Sequence, residues 1–185
     1  IAGAGLRVLR LPDQVLWGDE WHAVHAAMQW STGHILTHFG PWGHAIGDAL
    51  YAKVLLSTIG LSEVALHLPV LVAGIFLVPI GALLVRPLVG RATAAFFAWL
   101  IAFSPFLIFY SRFARPYGLV AMASFSAVVM SYRWMTEEKP AWLLSYALLA
   151  AVAVWYQIVA TPFVFLPIVL YAGRVMIDPN FALRR

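Results

Sequence analysis

The chain has 185 residues, 63% of them hydrophobic and only 11% charged, where an ordinary soluble domain carries roughly 25% charge. A mean hydropathy of +0.85 is more apolar surface than a core of this size can hide, so a conventional soluble fold is excluded and lipid becomes the expected solvent. The net charge of +4 is scattered rather than gathered into a stripe, which suits loops at anionic headgroups and not nucleic acid, and the lack of cysteine excludes disulfides and thiolate metal sites.

The opening residues, IAGAGLRVLR, read as the last turn of an upstream apolar helix without a signal-peptide pattern, and the chain is expected to be a fragment. All six histidines (His22, His25, His34, His38, His44, His67) and five of the eight acids fall before Leu68. This divides the chain into a polar head, residues 1–63, and a membrane body, residues 64–185.

In the head, DEWHAVHAAMQW predicts a helix with Asp19 as N-cap, Glu20 in the first turn, and Trp21, Val24 and Met28 at helical spacing; STG ends it. PWGHAIGDALYAKVLLSTIG predicts a second, with Pro41 near its start and Gly60 past its end. Trp42, Ile46, Leu50 and Val54 lie on one side and Asp48 on another. Both are expected to lie in the membrane interface, tryptophans at headgroup level.

In the body, residues 64–85, interrupted only by His67, can cross a hydrocarbon core of about 30 Å. RPLVGR ends this span. Residues 92–110 form a second, closed by SRFARP, and residues 117–135 a third, interrupted by Arg133 and closed by TEEKP. The uncharged residues 141–173 are either a hairpin turning near residues 157–162 or one long kinked helix; the hairpin is favoured and gives five spans. Arginines balance between RPLVGR and SRFARP, and Arg133, Lys139 and Arg174 tip the count toward RPLVGR as the cytoplasmic side. The head and SRFARP then share the outer face.

Several side chains can carry chemistry. Asp19 and Glu20 are adjacent acids at a helix start, where both have routine capping and dipole roles, but where like-charge repulsion can also raise a carboxyl pKa or the pair can bind a cation. Arg112 and Arg115, three apart and flanked by Tyr110 and Tyr117, would share a face in one helical turn. They could fork onto a phosphate or simply anchor to headgroups. The spacing of His22 and His25 makes them weak metal candidates with Asp19, so a divalent metal ion is a candidate cofactor, although no HExxH accompanies them. Lys53 faces either a phosphate or water, and His67, polar within a span, is expected to face protein or a cavity.

Four landmarks in order resemble the GT-C glycosyltransferases of the protein O-mannosyltransferase and lipid A aminoarabinose-transferase type. They are the Asp19-Glu20 pair, GLSEVALHLPVLVAG (similar to G-x-S-E-x-x-x-R-L-P), RPLVGR as the first cytoplasmic turn, and SPFLIFYSRFARPYGL. His67 stands where that family usually has Arg, GPWGH replaces its Pro-Pro-Leu stretch, and SRFARPY lacks the second acid of many relatives.

The resemblance implies an all-α, polytopic transmembrane helix bundle with interfacial amphipathic helices in the first external loop, of which this chain is an N-terminal part. It also implies an inverting, multi-pass enzyme of the plasma (inner) membrane. The donor would be a polyprenyl-phosphate-linked sugar and the acceptor a lipid, glycan or protein at the external face. Asp19 would be the general base with Glu20 its helper, and Arg112, Arg115, Tyr117, His44 and Lys53 would bind substrate. A non-catalytic transporter or channel subunit binding an anion or lipid phosphate is the alternative, and an inactive relative serving in assembly a third reading.

Overall fold

The computed structural model describes residues 1–38 and 45–177 and is all-helical, with no strand among the described residues. A short α1 (Ala2–Val8) and a 3-10 turn (Leu11–Asp13) lead to a second 3-10 turn (Gly18–Glu20) that runs directly into α2 (Trp21–Gln29). Then come α3 (Thr32–Thr37), capped by the Ser31 hydroxyl, which accepts from the His34 amide, and α4 (Ile46–Ser57). Pro41 and Trp42, expected at the start of that helix, lie outside the described residues.

Small residues dominate the buried side of α2 and α4, joined by Val24, Ile46 and Leu55. Ala23, Ala26 and Ala27 of α2 and Ala49 and Ala52 of α4 are buried, while Trp21, Met28 and Val54 are exposed. Small side chains let two helix backbones approach closely, and large apolar ones point outward, as in helices whose surroundings are lipid. Of the residues at helical spacing, Trp21 and Met28 belong to the outer surface and Val24 to the buried side. The Lys53 ammonium donates to Ala27 O (2.7 Å) and Trp30 O (2.6 Å), closing the C-terminal end of α2.

The longest element, α5 (Glu63–Phe103), starts at the Ser62 cap and contains a break at Gly90, whose φ of 81° and ψ of 171° are not helical. A straight helix would hold residues 81 and 101 about 30 Å apart. Instead, a methyl added at Gly81 would come within 3.4 Å of both Ile101 and Phe97. The helix therefore folds back on itself at RPLVGR, and its two halves answer to the apolar runs 64–85 and 92–103. The predicted span 92–110 stops early: Pro105 has no amide hydrogen and forces Ser104 into extended backbone (φ −62°, ψ 115°), and the separate α6 (Pro105–Tyr110) begins there.

After the irregular loop 111–116 come α7 (Tyr117–Glu137), α8 (Pro140–Tyr156) and, past a 3-10 turn at Ile158–Ala160, α9 (Thr161–Ile177). Continued straight, residues 146 and 164 would be about 27 Å apart, yet the Tyr146 hydroxyl donates to Val164 O at 3.0 Å. The chain therefore doubles back between α8 and α9. Ala123, Ala127 and Met130 pack against Tyr146, Ala150, Ala153, Ala160 and Val164 in a core again built on alanine. Among the described residues, two helical stretches, Glu63–Phe103 and Ile158–Ile177, are long and apolar enough to cross a membrane, with mean hydropathies of 2.6 and 1.8 over an 18-residue window.

Candidate functional site

The head and the loop 111–116 meet, although more than 90 residues separate them in sequence. Glu20, 2% exposed, is the knot. Its Oε1 accepts from His67 Nε2 (3.0 Å) and from the Ala114 amide (2.5 Å), and its Oε2 accepts from the Trp17 amide (2.8 Å). His67, fully buried, has its other ring nitrogen 2.6 Å from Glu63 O, so both nitrogens face acceptors and both donate. The ring then carries the charge that balances Glu20. Burial by itself would raise the Glu20 carboxyl, but the hydrogen bonds from His67, Ala114 and Trp17 hold it below the ordinary carboxylate range. Beside this knot, Gln14 donates to Arg112 O (2.6 Å) and accepts from Arg112 Nε (3.3 Å), and Glu63 Oε1 accepts from the Leu16 amide (3.3 Å).

Asp19 is placed differently from the expected N-cap. Gly18, at φ 55°, turns the chain into a 3-10 turn in which Glu20 points inward and Asp19 outward. The Asp19 side chain is 63% exposed, and its Oδ1 lies 4.0 Å from His22 Nδ1. It makes no capping bond. Since Glu20 is bonded to Ala114, Asp19 on one strand of chain and Arg115 on the other are each one residue from the tie.

Arg112 and Arg115 do not share a helical face, because loop 111–116 is irregular. Arg112 is engaged by Gln14, whereas Arg115 turns into the protein and is 5% exposed. Its Nε is buried without a hydrogen-bond partner, and its guanidinium sits 6.0 Å over the Tyr117 ring, which itself meets Tyr110 edge-on at 5.1 Å. Tyr110 and Tyr117 line an apolar cavity of about 880 Å³ between α5, α6, α7 and α9, together with Leu77, Phe125, Phe163, Leu166 and Gln157 among others.

Two residues the sequence did not flag belong here. Arg7, fully buried, donates to Gly3 O (2.8 Å), Ala102 O (3.0 Å), Ile101 O (3.1 Å) and Ser111 Oγ (3.1 Å), tying α1 to the end of α5 and to loop 111–116. Asp48, in the first turn of α4, lines a cavity of about 20 Å³ with Glu20, Tyr51 and Ala114, room for one water. Its Oδ2 is buried and unpartnered. Burial pushes its carboxyl up to about 7 against the opposing pull of Arg115.

Of the other candidates, Lys53 faces the α2 carbonyls rather than this site, and His44 lies outside the described residues. His22 neighbours Asp19, and the His25 ring stands 6.0 Å from that of Trp21. No three His, Asp or Glu side chains among the described residues converge as a metal would require. Comparison with protein-family models, with curated proteins and with solved structures finds no match to the chain.

Proposed function

We propose that the chain is a polytopic GT-C-type membrane glycosyltransferase that moves a sugar from a polyprenyl phosphate carrier to an acceptor at the outer face, with Asp19 as general base. The observation that carries this reading is Arg115: a buried guanidinium with an unpartnered Nε, 6.0 Å over the ring of Tyr117, which itself lines the large apolar cavity. Leaving such a donor dry and unsatisfied is costly, so the place calls for an anion, and the adjoining cavity calls for a hydrocarbon tail. A lipid phosphate supplies both. His67 in place of the family's arginine also fits, since it still presents a cation to Glu20.

In the reaction the acceptor's O–H or N–H proton passes to the Asp19 carboxylate as its oxygen or nitrogen bonds the sugar's anomeric carbon. The bond from that carbon to the phosphate oxygen breaks, and its electron pair leaves on the phosphate, facing Arg115. Glu20 fixes both loops, so base and phosphate site are held in register without Glu20 touching substrate.

The test is transfer from a polyprenyl-phosphate sugar by the full chain in detergent. Asp19→Asn should lose at least about 10²-fold in transfer and keep lipid-phosphate binding, whereas Arg115→Ala should lose the binding. Undiminished transfer by folded Asp19→Asn removes Asp19 from the mechanism. Arg115-dependent binding without transfer by the native chain points to the anion-binding transporter instead.

A further inference from the structure

We propose that the RPLVGR turn of α5 is a binding site for the headgroup of an anionic glycerophospholipid, whose phosphate is held between Arg86 and Arg91. The inference is independent of the sugar-transfer reading, because it concerns the other end of the helices. Gly118 packs on Val70 and Gly81 on Phe125, so α7 runs beside the first half of α5 in the same direction. Arg86 lies about 24 Å along the helix from Val70, far from the loop that carries Arg115.

The two arginines share one space. A cavity of about 350 Å³ is lined by Ala82, Leu83, Arg86, Arg91, Ala94 and Ala95. Its geometry follows from the fold-back at Gly90. Arg86 comes one helical turn after Ala82 and Leu83, and Arg91 one turn before Ala94 and Ala95. Residues three and four apart share a helix face, so each arginine rises from the same face as the small residues lining its half. The result is a cleft with a methyl floor and a guanidinium on each wall.

The charge there is uncompensated. No acid lines the cleft, and among the described residues neither arginine has a hydrogen-bond or ion-pair partner. Glu137, at the end of α7 that runs toward this turn, is taken by Arg133, Lys139 and the Trp142 ring nitrogen. Between the arginines, Leu88 and Val89 are exposed, as is Leu83 beside them. That mixture suits the headgroup layer, where apolar side chains reach the acyl boundary and guanidiniums stay among phosphates.

The chemistry of the cleft selects its occupant. Each guanidinium can fork onto two phosphate oxygens. A soluble phosphate ester would use the arginines and leave Leu83 and the alanines without a partner. A zwitterionic lipid would bring its own cation beside two others. An anionic glycerophospholipid uses both parts, with its phosphodiester at the arginines and the first methylenes of an acyl chain on Leu83 and the alanine floor.

The test uses the full chain in mixed micelles with equal amounts of dioleoylphosphatidylglycerol and dioleoylphosphatidylcholine, the retained lipid being read by native mass spectrometry. The native chain should retain the anionic lipid in preference by roughly 25-fold, about fivefold for each arginine. Arg86→Gln and Arg91→Gln should each cut the preference about fivefold, and together abolish it. Ala95→Trp, which fills the floor and keeps both cations, should also release the lipid. Arg115→Ala should leave the preference unchanged. Equal retention of the two lipids by the native chain, or a preference that survives the double glutamine variant, overturns the site. A preference kept in full by Arg86→Lys with Arg91→Lys reduces it to general surface charge and overturns the clamp. Displacement of the lipid by excess glycerol 3-phosphate puts a soluble ester in its place, and loss of the preference in Arg115→Ala moves the lipid to the other end; either result overturns the proposal.

Discussion

Replacing Glu20 by alanine removes the carboxylate on which the head, α5 and loop 111–116 converge. The losses are the 3.0 Å bond from His67, the 2.8 Å bond from the Trp17 amide and the 2.5 Å bond from the Ala114 amide, in a place where Glu20 is 2% exposed and His67 fully buried. Stripping one partner from a buried ion pair costs about 3–5 kcal/mol, and the orphaned amides keep the figure toward the upper end. At about 2–4 °C per kcal/mol for a chain of this size, melting in detergent, followed by tryptophan fluorescence, should fall by on the order of 10 °C. Amide exchange at residues 111–116 should quicken with it. Glu20→Gln retains one acceptor but turns an NH2 toward a donor, so it should fall between the two. The native chain should show the same loosening with acid. Because the folded carboxyl lies below its ordinary value, its stabilisation is complete above the unfolded pKa of about 4.3 and disappears as pH falls through the lower folded value. A Glu20→Ala protein melting within about 2 °C of the native one, with loop exchange unchanged, would refute the view that this acid ties the loops together.

Gly74 faces Ser111 with no space for a methyl, so Gly74→Ala should push loop 111–116 off α5 and weaken lipid-phosphate binding more than it lowers the melting temperature; equal binding would show that the loop yields freely. Arg7 makes four hydrogen bonds through a planar fork, which a single ammonium cannot reproduce. Arg7→Lys should therefore destabilise by about 2–3 kcal/mol in the same melting assay, and a melting temperature equal to the native one would mean that the α5 carbonyls find other donors.

The helical architecture was legible where the signal was local. RPLVGR between two apolar runs marks the fold-back at Gly90, and the polar Gln157 ahead of Pro162 marks the break between α8 and α9. The contacts of the head were not legible, because a spacing argument marks the largest apolar residues and leaves alanine unmarked. Among lipids those residues lose nothing by facing out, and alanine wins the contact. The site was legible only as an inventory. Asp19 and Glu20 are neighbours of like charge, and their opposite fates depend on the left-handed backbone of Gly18. Arg7 and Asp48 gave no motif at all, since their importance comes from partners such as Ser111 and Arg115, far away along the chain.

What separates scaffold from site is which buried polar groups the fold has closed. Arg7, Glu20 and His67 are as buried as any residue here, and each is supplied with partners, so their polarity is spent on holding loops 111–116 and 14–20 to α5. Arg115, Asp48 and Gln157 are left with buried atoms that meet nothing, at a cost of about 1–3 kcal/mol for each unsatisfied group. Stability alone would remove such groups or pair them. Around them the chain is held: Gly47 seats α4 against the Tyr156 ring, and the Glu20–Ala114 bond ties the loop that carries Arg115. The satisfied cluster thus holds the Arg115 loop beside Tyr117, which lines the apolar cavity together with Gln157, and in the proposed reading that junction is the ligand's place.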